Sequence, residues 1–329
     1  MSLHLVDSWV EEGDVPAVSA VVVGPSDVGR VRVAGDARAD SLFALASLTK
    51  PIVAVAVLVA AEEGALDLDA PAGAHLAPYR DGARAEITAR HLLAHASGLP
   101  ETARGVPPLD VQPVHAPATR RVYSNEGYHV LGGLLDAATG MDYRRYVTEA
   151  VLEPLAMDAF LPLPESEDRR ALAVLEPGLS APGVQLFNGA EWRRRGTAPG
   201  GCFATAEAYG RFVAMLLASG RPLLSAETAA DLARVQWPGI EGGLESYPKM
   251  HCPDWGLGVN IRGHGDPHWC GDAVSPATLS HFGASGTLMW ADPGRGRGLV
   301  CLANRSTYSG WMMRPGRWPD LTAAVAAER

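Results

Sequence analysis

A serine and a lysine three residues apart, Ser47 and Lys50, are the first side chains in the sequence that could do covalent chemistry together. Residues i and i+3 lie on one face of a helix, so the hydroxyl and the amine would be within reach of each other. A serine hydroxyl needs a base at neutral pH, and a lysine can be that base when burial lowers its pKa. The apolar run from Pro51 to Ala61 predicts that Lys50 begins a buried helix. A capping serine followed by an exposed lysine is the competing interpretation.

The second group, Tyr123-Ser124-Asn125, lies on a polar loop before a predicted helix, where side chains can project into a cleft. A tyrosine there could relay a proton or hydrogen-bond the serine oxygen. An asparagine could hold a substrate amide through its donor and its acceptor. The same residues could instead form an ordinary helix N-terminus, with Ser124 or Asn125 as the cap.

The third group is the glycine-containing stretch from His281 to Gly286, which has a strand-like pattern. Glycines within a strand permit close approach of a ligand or of another backbone. A backbone N–H from this stretch, with that of Ser47, could form an oxyanion hole. His281 could supply a hydrogen bond or a pH-dependent positive charge beside Tyr123. A β-bulge with a surface histidine is the alternative.

The order and separation of the three groups resemble the penicillin-recognising serine hydrolases, in which S-x-x-K is followed by Y-x-N and then by K-T-G or H-x-G. The Y-S-N form is similar to class C β-lactamases, D-alanyl-D-alanine carboxypeptidases and related esterases. The resemblance covers roughly residues 15 to 305, including RHLLAHASGLP at 90–100 and LEPLAM at 152–157. It implies a β-lactamase/transpeptidase-like α/β (α+β) fold.

The resemblance also implies a role for each matching residue of the first two groups. Ser47 would attack a carbonyl carbon and become acylated. Lys50 and Tyr123 would share the proton transfers, and the choice of base between them stays open. Asn125 would orient the substrate or Lys50. No metal and no organic cofactor is implied.

In the third group, the resemblance places His281 where the family has a lysine, and it places Phe282, Gly283 and Ala284 beside the substrate. The N–H groups of Ser47 and Ala284 would hold the oxyanion. Phe282 departs from the family, which often has a threonine whose hydroxyl helps bind the substrate carboxylate. A phenyl ring cannot do so, and a histidine carries less positive charge than lysine at neutral pH. Both changes favour an uncharged or apolar acyl substrate, such as an ester.

The predicted function is therefore a serine hydrolase that acts through an acyl-enzyme on an ester or amide, either a β-lactam, a D-amino-acid peptide or a small ester. A non-catalytic binding or scaffold protein with the same fold is the alternative hypothesis.

The elements that must position these residues run in the order strands, helices, strands. The predicted helices are 46–63, 88–95, 126–138, 143–151, 206–219, one from 225, and 320–328. The predicted strands are 17–23, 29–34, 255–261, 278–290 broken by glycines, and 299–303. This order predicts an antiparallel sheet flanked by helices, with an inserted, mostly helical domain. Residues 1–70 with 245–329 would form the α/β domain and 71–244 the helical one, with the active site in the cleft between them.

The composition argues against several classes of partner. The chain of 329 residues carries a formal charge of −9, which disfavours nucleic acid and anionic membrane surfaces. The basic run Arg193 to Arg195 is interpreted as a solvated loop, with a binding patch as the alternative. The first residues lack the apolar core of a secretory signal, which predicts a cytoplasmic protein unless a leader has been removed. The oligomeric state is not predicted.

Cysteine and histidine residues are concentrated in one late segment. Cys252 and Cys270 lie there with His251, His264 and His268. A zinc site, a disulfide and an unremarkable histidine-rich loop are all compatible with this composition, although the spacing fits no zinc template well.

Overall fold

The computed structural model describes residues 2–175 and 185–328. Its strands are β1 (Ala17–Val23), β2 (Arg32–Gly35), β3 (Phe43–Ala44), β4 (Arg121–Val122), β5 (Ala159–Phe160), β6 (Phe203–Ala204), β7 (Gly242–Gly243), β8 (Asn260–Ile261), β9 (Leu279–Gly283), β10 (Thr287–Asp292) and β11 (Arg297–Ala303). Its α-helices are α1 (Leu5–Glu11), α2 (Thr49–Glu62), α3 (Ala89–Leu93), α4 (Asn125–Thr139), α5 (Tyr143–Val147), α6 (Ala190–Arg195), α7 (Ala206–Leu217), α8 (Ala226–Leu232) and α9 (Trp318–Ala327).

The largest sheet joins the two ends of the chain. It is antiparallel and has the order β2-β1-β11-β10-β9-β8, so the N-terminal strand β1 pairs with β11 near the C-terminus. Most of the α-helices lie between β2 and β8 in sequence. The architecture is therefore an antiparallel sheet with helices, as the sequence predicts. The domain division at residues 70 and 245 stays a prediction.

Both faces of this sheet are covered, because successive side chains of a strand point to opposite sides. In β11, Val300 and Leu302 belong to the larger apolar core, which also contains the buried residues of α2 and α7. Leu299 and Cys301 belong to a second core, which contains Trp9 of α1 and several other buried tryptophans. A strand buried on both faces makes a rigid support for the residues at its end.

The predicted strand 255–261 is wrong for most of its length, since only Asn260–Ile261 is a strand. The chain turns back here, with the N–H of Gly256 donating to the carbonyl of Val259 at 2.9 Å. Gly258 has a φ of +87°, and a Cβ at this position would lie 2.1 Å from the Cβ of Ala54 in α2. The glycines therefore serve a tight turn against the buried helix rather than an extended strand.

The predicted strand 278–290 consists of two strands, β9 and β10, paired antiparallel. The glycines that interrupt the pattern form the turn between them, in which the N–H of Gly286 donates to the carbonyl of Gly283 at 3.0 Å. Gly286 adopts a φ of +105°, a conformation that favours glycine. The third sequence group therefore lies at the end of a hairpin.

The arginine run is helical rather than a loop, since Arg193, Arg194 and Arg195 form the last turn of α6. Arg193 and Arg194 pair with Asp168, and Arg195 pairs with Glu191 one turn earlier. These charge pairs compensate the positive charges that the sequence brings together.

The cysteine-rich segment contains free, buried thiols at Cys252 and Cys270. His268 lies 2.9 Å from the amide oxygen of Asn260 and accepts from the N–H of Cys270. Within residues 2–175 and 185–328, no group of three or more His, Cys, Asp or Glu is arranged to hold a metal ion. The described helices also include none with the length and apolar character to cross a membrane.

Candidate active site

Ser47 lies in a short 3₁₀ turn, Ala46–Leu48, that leads directly into α2. Ala46 before it has a φ of +47°, which is uncommon for a residue with a side chain and costs about 1–3 kcal/mol. The hydroxyl of Thr287 donates to the carbonyl of Leu45 at 2.9 Å, so the turn is tied to β10. The fold therefore holds Ser47 in a fixed position, directly after the strained residue Ala46 and before a buried helix.

The amine of Lys50 is completely buried one turn after the serine. Its Nζ lies 3.0 Å from Ser47 Oγ, 2.8 Å from Asn125 Oδ1 and 2.8 Å from the carbonyl oxygen of Pro199. The predicted proximity of Ser47, Lys50 and Asn125 is thus present in the structure. The competing interpretation of an exposed lysine is wrong.

Burial decides the protonation of Lys50. Desolvation disfavours the ammonium form and lowers the pKa of Lys50 to about 7, while the negative charge of Glu101 opposes this shift. The amine is therefore neutral in a large fraction of molecules near neutral pH. A neutral amine within hydrogen-bond distance of a serine hydroxyl has the chemistry of a general base.

Tyr123 is buried and packs beside the lysine. The hydroxyl of Ser47 is close enough to the phenol to influence its pKa, and the Nζ of Lys50 lies 4.8 Å from the centre of its ring. Burial raises the pKa of Tyr123 well above its usual value, and the Ser47 contact only partly offsets this effect. The phenol is therefore protonated at neutral pH and is able to donate a proton.

Two neighbouring groups hold the Tyr123 loop. Ser124 caps α4 by accepting from the N–H of Gly127 at 2.9 Å, and its own N–H donates to Nδ1 of His95 at 3.0 Å. The ring centre of His95 lies 4.4 Å from that of Tyr123. The capping interpretation of Ser124 is therefore correct, and it coexists with the arrangement of Tyr123 and Asn125 around Lys50.

The strand side of the site is formed by the end of β9. Phe282 is buried, and its ring centre lies 4.9 Å from that of Trp269 and 5.0 Å from that of Tyr247. A Cβ on Gly283 would lie 2.2 Å from the carbonyl oxygen of Leu45, so glycine allows β9 to approach the chain just before the serine. Ala284 follows at the turn and lines the same cleft as Ser47. In residues 2–175 and 185–328, the backbone N–H groups of Ser47 and Ala284 donate to no other backbone group.

His281 lies behind the site rather than in the cleft. Its ring centre is 6.0 Å from that of Tyr123, and Nδ1 lies 2.8 Å from the carbonyl oxygen of Phe282. Desolvation, reinforced by the charge of Lys50, lowers the pKa of His281 to about 3. The expected pH-dependent positive charge and the surface position are therefore wrong, because the buried ring stays neutral at neutral pH. A catalytic role for His281 stays a prediction.

These groups open onto a cleft of about 610 Å³. Its lining residues include Ala46, Ser47, Glu101, Thr102, Arg104, Tyr123, Asn125, Glu126, His129, Phe187, Trp192, Arg195, Thr197, Pro199, Gly200, Leu244, Tyr247, Phe282, Ala284 and Tyr308. The lining combines aromatic side chains with a small number of polar groups, as is common for small-molecule sites.

Three contributors to the site were not identified from the sequence. Pro199 acts through its carbonyl oxygen, which every residue type has, so its role depends on backbone position alone. Glu101 influences Lys50 through charge, and its carboxylate accepts from the N–H and hydroxyl of Ser246. His95 lies in the 90–100 stretch that carries the family resemblance, which could have drawn attention to it.

The chain is similar to several known proteins over most of its length. Esterase EstB of Burkholderia gladioli is 29% identical, and the alignment covers 83% of this chain and 79% of EstB. The crystal structure of a beta-lactamase from Mycobacterium bovis is 35% identical, with a TM-score of 0.74 and coverage of 99% of this chain and 98% of that one. EstA from Arthrobacter nitroguajacolicus shares the fold, with a TM-score of 0.79, 20% identity and coverage of 99% and 95%.

The predicted β-lactamase/transpeptidase-like fold is confirmed by these structures. The family model described as Beta-lactamase matches residues 4–315, and the chain belongs to the beta-lactamase family.

Proposed function

We propose that this protein is a carboxylic ester hydrolase that works through an acyl-enzyme at Ser47. The observation that carries the proposal is the buried amine of Lys50, 3.0 Å from Ser47 Oγ at the wall of a cleft large enough for a small molecule. The similarity to an esterase, EstB, supports an ester as the substrate class.

The contacts of Lys50 favour this residue as the base. Asn125 Oδ1 and the carbonyl oxygen of Pro199 can only accept hydrogen bonds, so each takes one N–H of the amine. In the neutral amine, the remaining position towards Ser47 is the lone pair. That lone pair can accept the hydroxyl proton of Ser47 as the oxygen attacks.

The reaction then proceeds in two acyl transfers. Ser47 Oγ forms a bond to the ester carbonyl carbon while its proton passes to Lys50. The bond to the leaving alcohol then breaks as this proton passes from Lys50 through the phenol of Tyr123 to the leaving oxygen. Water then attacks the acyl carbon while its proton passes to Lys50, and the bond from that carbon to Ser47 Oγ breaks as the serine oxygen takes the proton back through Tyr123. The products are a carboxylic acid and the free serine hydroxyl. The protonated phenol of Tyr123 suits it to deliver the proton to the leaving oxygen.

The backbone N–H groups of Ser47 and Ala284 would stabilise the oxyanion that forms in each step. Both residues line the cleft, and preorganised N–H donors are commonly worth about 3–4 kcal/mol of transition-state stabilisation each. The largest sheet anchors both the short turn that contains Ser47 and the hairpin turn that contains Ala284. Such anchoring fixes the donors before the substrate binds.

The side of the cleft formed by the end of β9, called here the strand wall, suits an apolar substituent of the ester. Phe282 packs among Trp269, Tyr247 and Trp318 and offers no hydroxyl to a carboxylate. A β-lactam is the second candidate substrate, because the Mycobacterium bovis protein at 35% identity is described as a beta-lactamase.

The direct test compares p-nitrophenyl butyrate, nitrocefin and D-alanine p-nitroanilide, together with intact-mass measurement after a fluorophosphonate. We expect the butyrate ester to have the highest kcat/KM and the probe to add once. Ser47→Ala should abolish both signals, whereas Ser26→Ala, an exposed serine in the turn after β1, should change neither. Faster turnover of nitrocefin would favour the second candidate. Absence of both turnover and adduct would favour the scaffold hypothesis.

A further inference from the structure

The cleft contains a histidine that the reaction above does not use. His129 lies one helical turn after Asn125 on α4, so both side chains project from the same face of the helix and line the cleft. Its side chain is half-buried, and its imidazole makes no hydrogen bond with residues 2–175 or 185–328. An unpartnered polar ring in a substrate cleft is available to a ligand.

Two basic side chains, Lys50 and Arg195, act on this imidazole. Burial, Lys50 and Arg195 together lower the pKa of His129 to about 4, so the ring is neutral and keeps one N–H donor. Arg195 ends α6 and also lines the cleft. Its side chain is 61% exposed and pairs with Glu191, which is 84% exposed. Exposed pairs of this kind contribute about 0–1 kcal/mol, so a ligand can displace Glu191 at small cost.

The acids that line the cleft are engaged elsewhere. Glu101 accepts two hydrogen bonds from Ser246. Glu126 accepts from the N–H of Ala103 at 2.8 Å, and burial raises its pKa, which favours its neutral form. Neither carboxylate is hydrogen-bonded to the imidazole of His129 in the part of the chain that the structure describes.

We propose that His129 and Arg195 form a subsite for a carboxylate group of the substrate, on the side of the cleft where α4 and α6 lie. This inference rests on the proposed ester hydrolysis and narrows its substrates to esters with an apolar group towards Phe282 and an anionic group towards α4 and α6. An arginine can bind a carboxylate through two parallel hydrogen bonds, and the histidine N–H adds a third donor. The anionic end is thus held by helices, while the strand wall holds the apolar end.

The test measures kcat/KM for two matched esters, p-nitrophenyl butyrate and mono-p-nitrophenyl glutarate, and follows the ratio of glutarate to butyrate. Arg195→Gln and His129→Leu should each lower this ratio about tenfold, mainly through KM for the glutarate ester. Arg195→Lys and His129→Gln, which keep a donor, should restore part of it. Glu191→Gln should raise the ratio because it frees the guanidinium.

Arg194→Gln is the matched control, since this neighbour pairs with Asp168 and is absent from the lining of the cleft. An equal loss in this control would overturn the subsite, because it would indicate a general charge effect. A ratio within about twofold of the unmodified protein in both Arg195→Gln and His129→Leu would also overturn it. Arg104 also lines the cleft. A ratio that falls in Arg104→Gln but not in Arg195→Gln or His129→Leu would likewise overturn the subsite.

A binding arm separates this inference from the proposed function. If neither ester is hydrolysed, the proposed function fails, and isothermal titration with monomethyl glutarate decides the subsite. A Kd at least about tenfold weaker in Arg195→Gln than in Arg194→Gln would support the subsite. Equal affinities would overturn it.

Discussion

The Nζ of Lys50 lies 2.8 Å from Asn125 Oδ1, although 75 residues separate the two in the chain. The contact joins the start of α2 to the start of α4 and gives the buried amine an acceptor that carries no charge. A neutral acceptor matters because it holds the amine in place without stabilising the ammonium form as a carboxylate would. The protonation of the candidate base therefore depends on the amide at position 125.

The first prediction exchanges this amide for a carboxylate. Asn125→Asp places a negative charge beside Lys50, stabilises the ammonium and raises the pKa of Lys50 by about 1–3 units. The acid limb of the profile, in which kcat/KM falls as the pH decreases, should move to higher pH by the same amount. Gln112→Glu, which adds the same charge on an exposed loop, should leave the limb in place. An unmoved limb in Asn125→Asp would exclude Lys50 as the base.

The second prediction concerns the unmodified protein and Glu101. Because Lys50 must be neutral to accept a proton, kcat/KM should fall as the pH drops below its pKa of about 7. Glu101 raises that pKa, so Glu101→Gln should move the limb to lower pH. The exposed neighbour Glu245 provides the control, since Glu245→Gln should not move it. A rate that is flat from pH 5 to 8, an interval centred roughly on this titration, would contradict the prediction.

The third prediction concerns His281. Its pKa of about 3 means that the ring is uncharged throughout the range in which Lys50 titrates, so it adds no charge to the site there. His281→Gln should leave the acid limb within about 0.3 units of its original position, even if packing changes reduce kcat. A limb that shifts by about 1 unit would show that His281 carries charge in the active protein. The pH profile of kcat/KM is the measurement.

The fourth prediction concerns Phe282. Phe282→Thr removes a ring that packs against Trp269 and Trp318 and should lower the free energy of unfolding by about 3 kcal/mol. It should also shift substrate preference towards esters with a carboxylate, because a hydroxyl replaces the ring. Phe282→Leu should cost less stability and leave this preference unchanged. Denaturant unfolding and the ratio of kcat/KM for the two matched esters measure the two effects.

The fifth prediction concerns Gly283. Gly283→Ala would put a methyl group 2.2 Å from the carbonyl oxygen of Leu45, so the chain before Ser47 must move. We expect a loss of about 1–3 kcal/mol in stability and a fall in kcat. Gly294→Ala is the matched control, because its nearest contact is 3.4 Å away. Thermal unfolding that is equal in the two variants would show that the approach of β9 is not tight.

The sequence by itself determined the parts of this protein that depend on local pattern. The i, i+3 spacing of Ser47 and Lys50 and the apolar run after them fixed which residues share a helix face and which helix is buried. The predicted helix 126–138 corresponds to α4, which ends at Gly140 with a φ of +68°. The resemblance of the three motifs identified the family, and the family model confirms it.

Only the tertiary structure decided the protonation and orientation of the candidate groups. The low pKa of Lys50, the high pKa of Tyr123 and the neutral ring of His281 all come from desolvation, which depends on packing between distant segments. From the local pattern alone, the glycines within 255–261 and 281–286 are expected to interrupt a strand. In the structure they form turns instead. The glycines of 255–261 do so against α2, and those of 281–286 connect the paired strands β9 and β10.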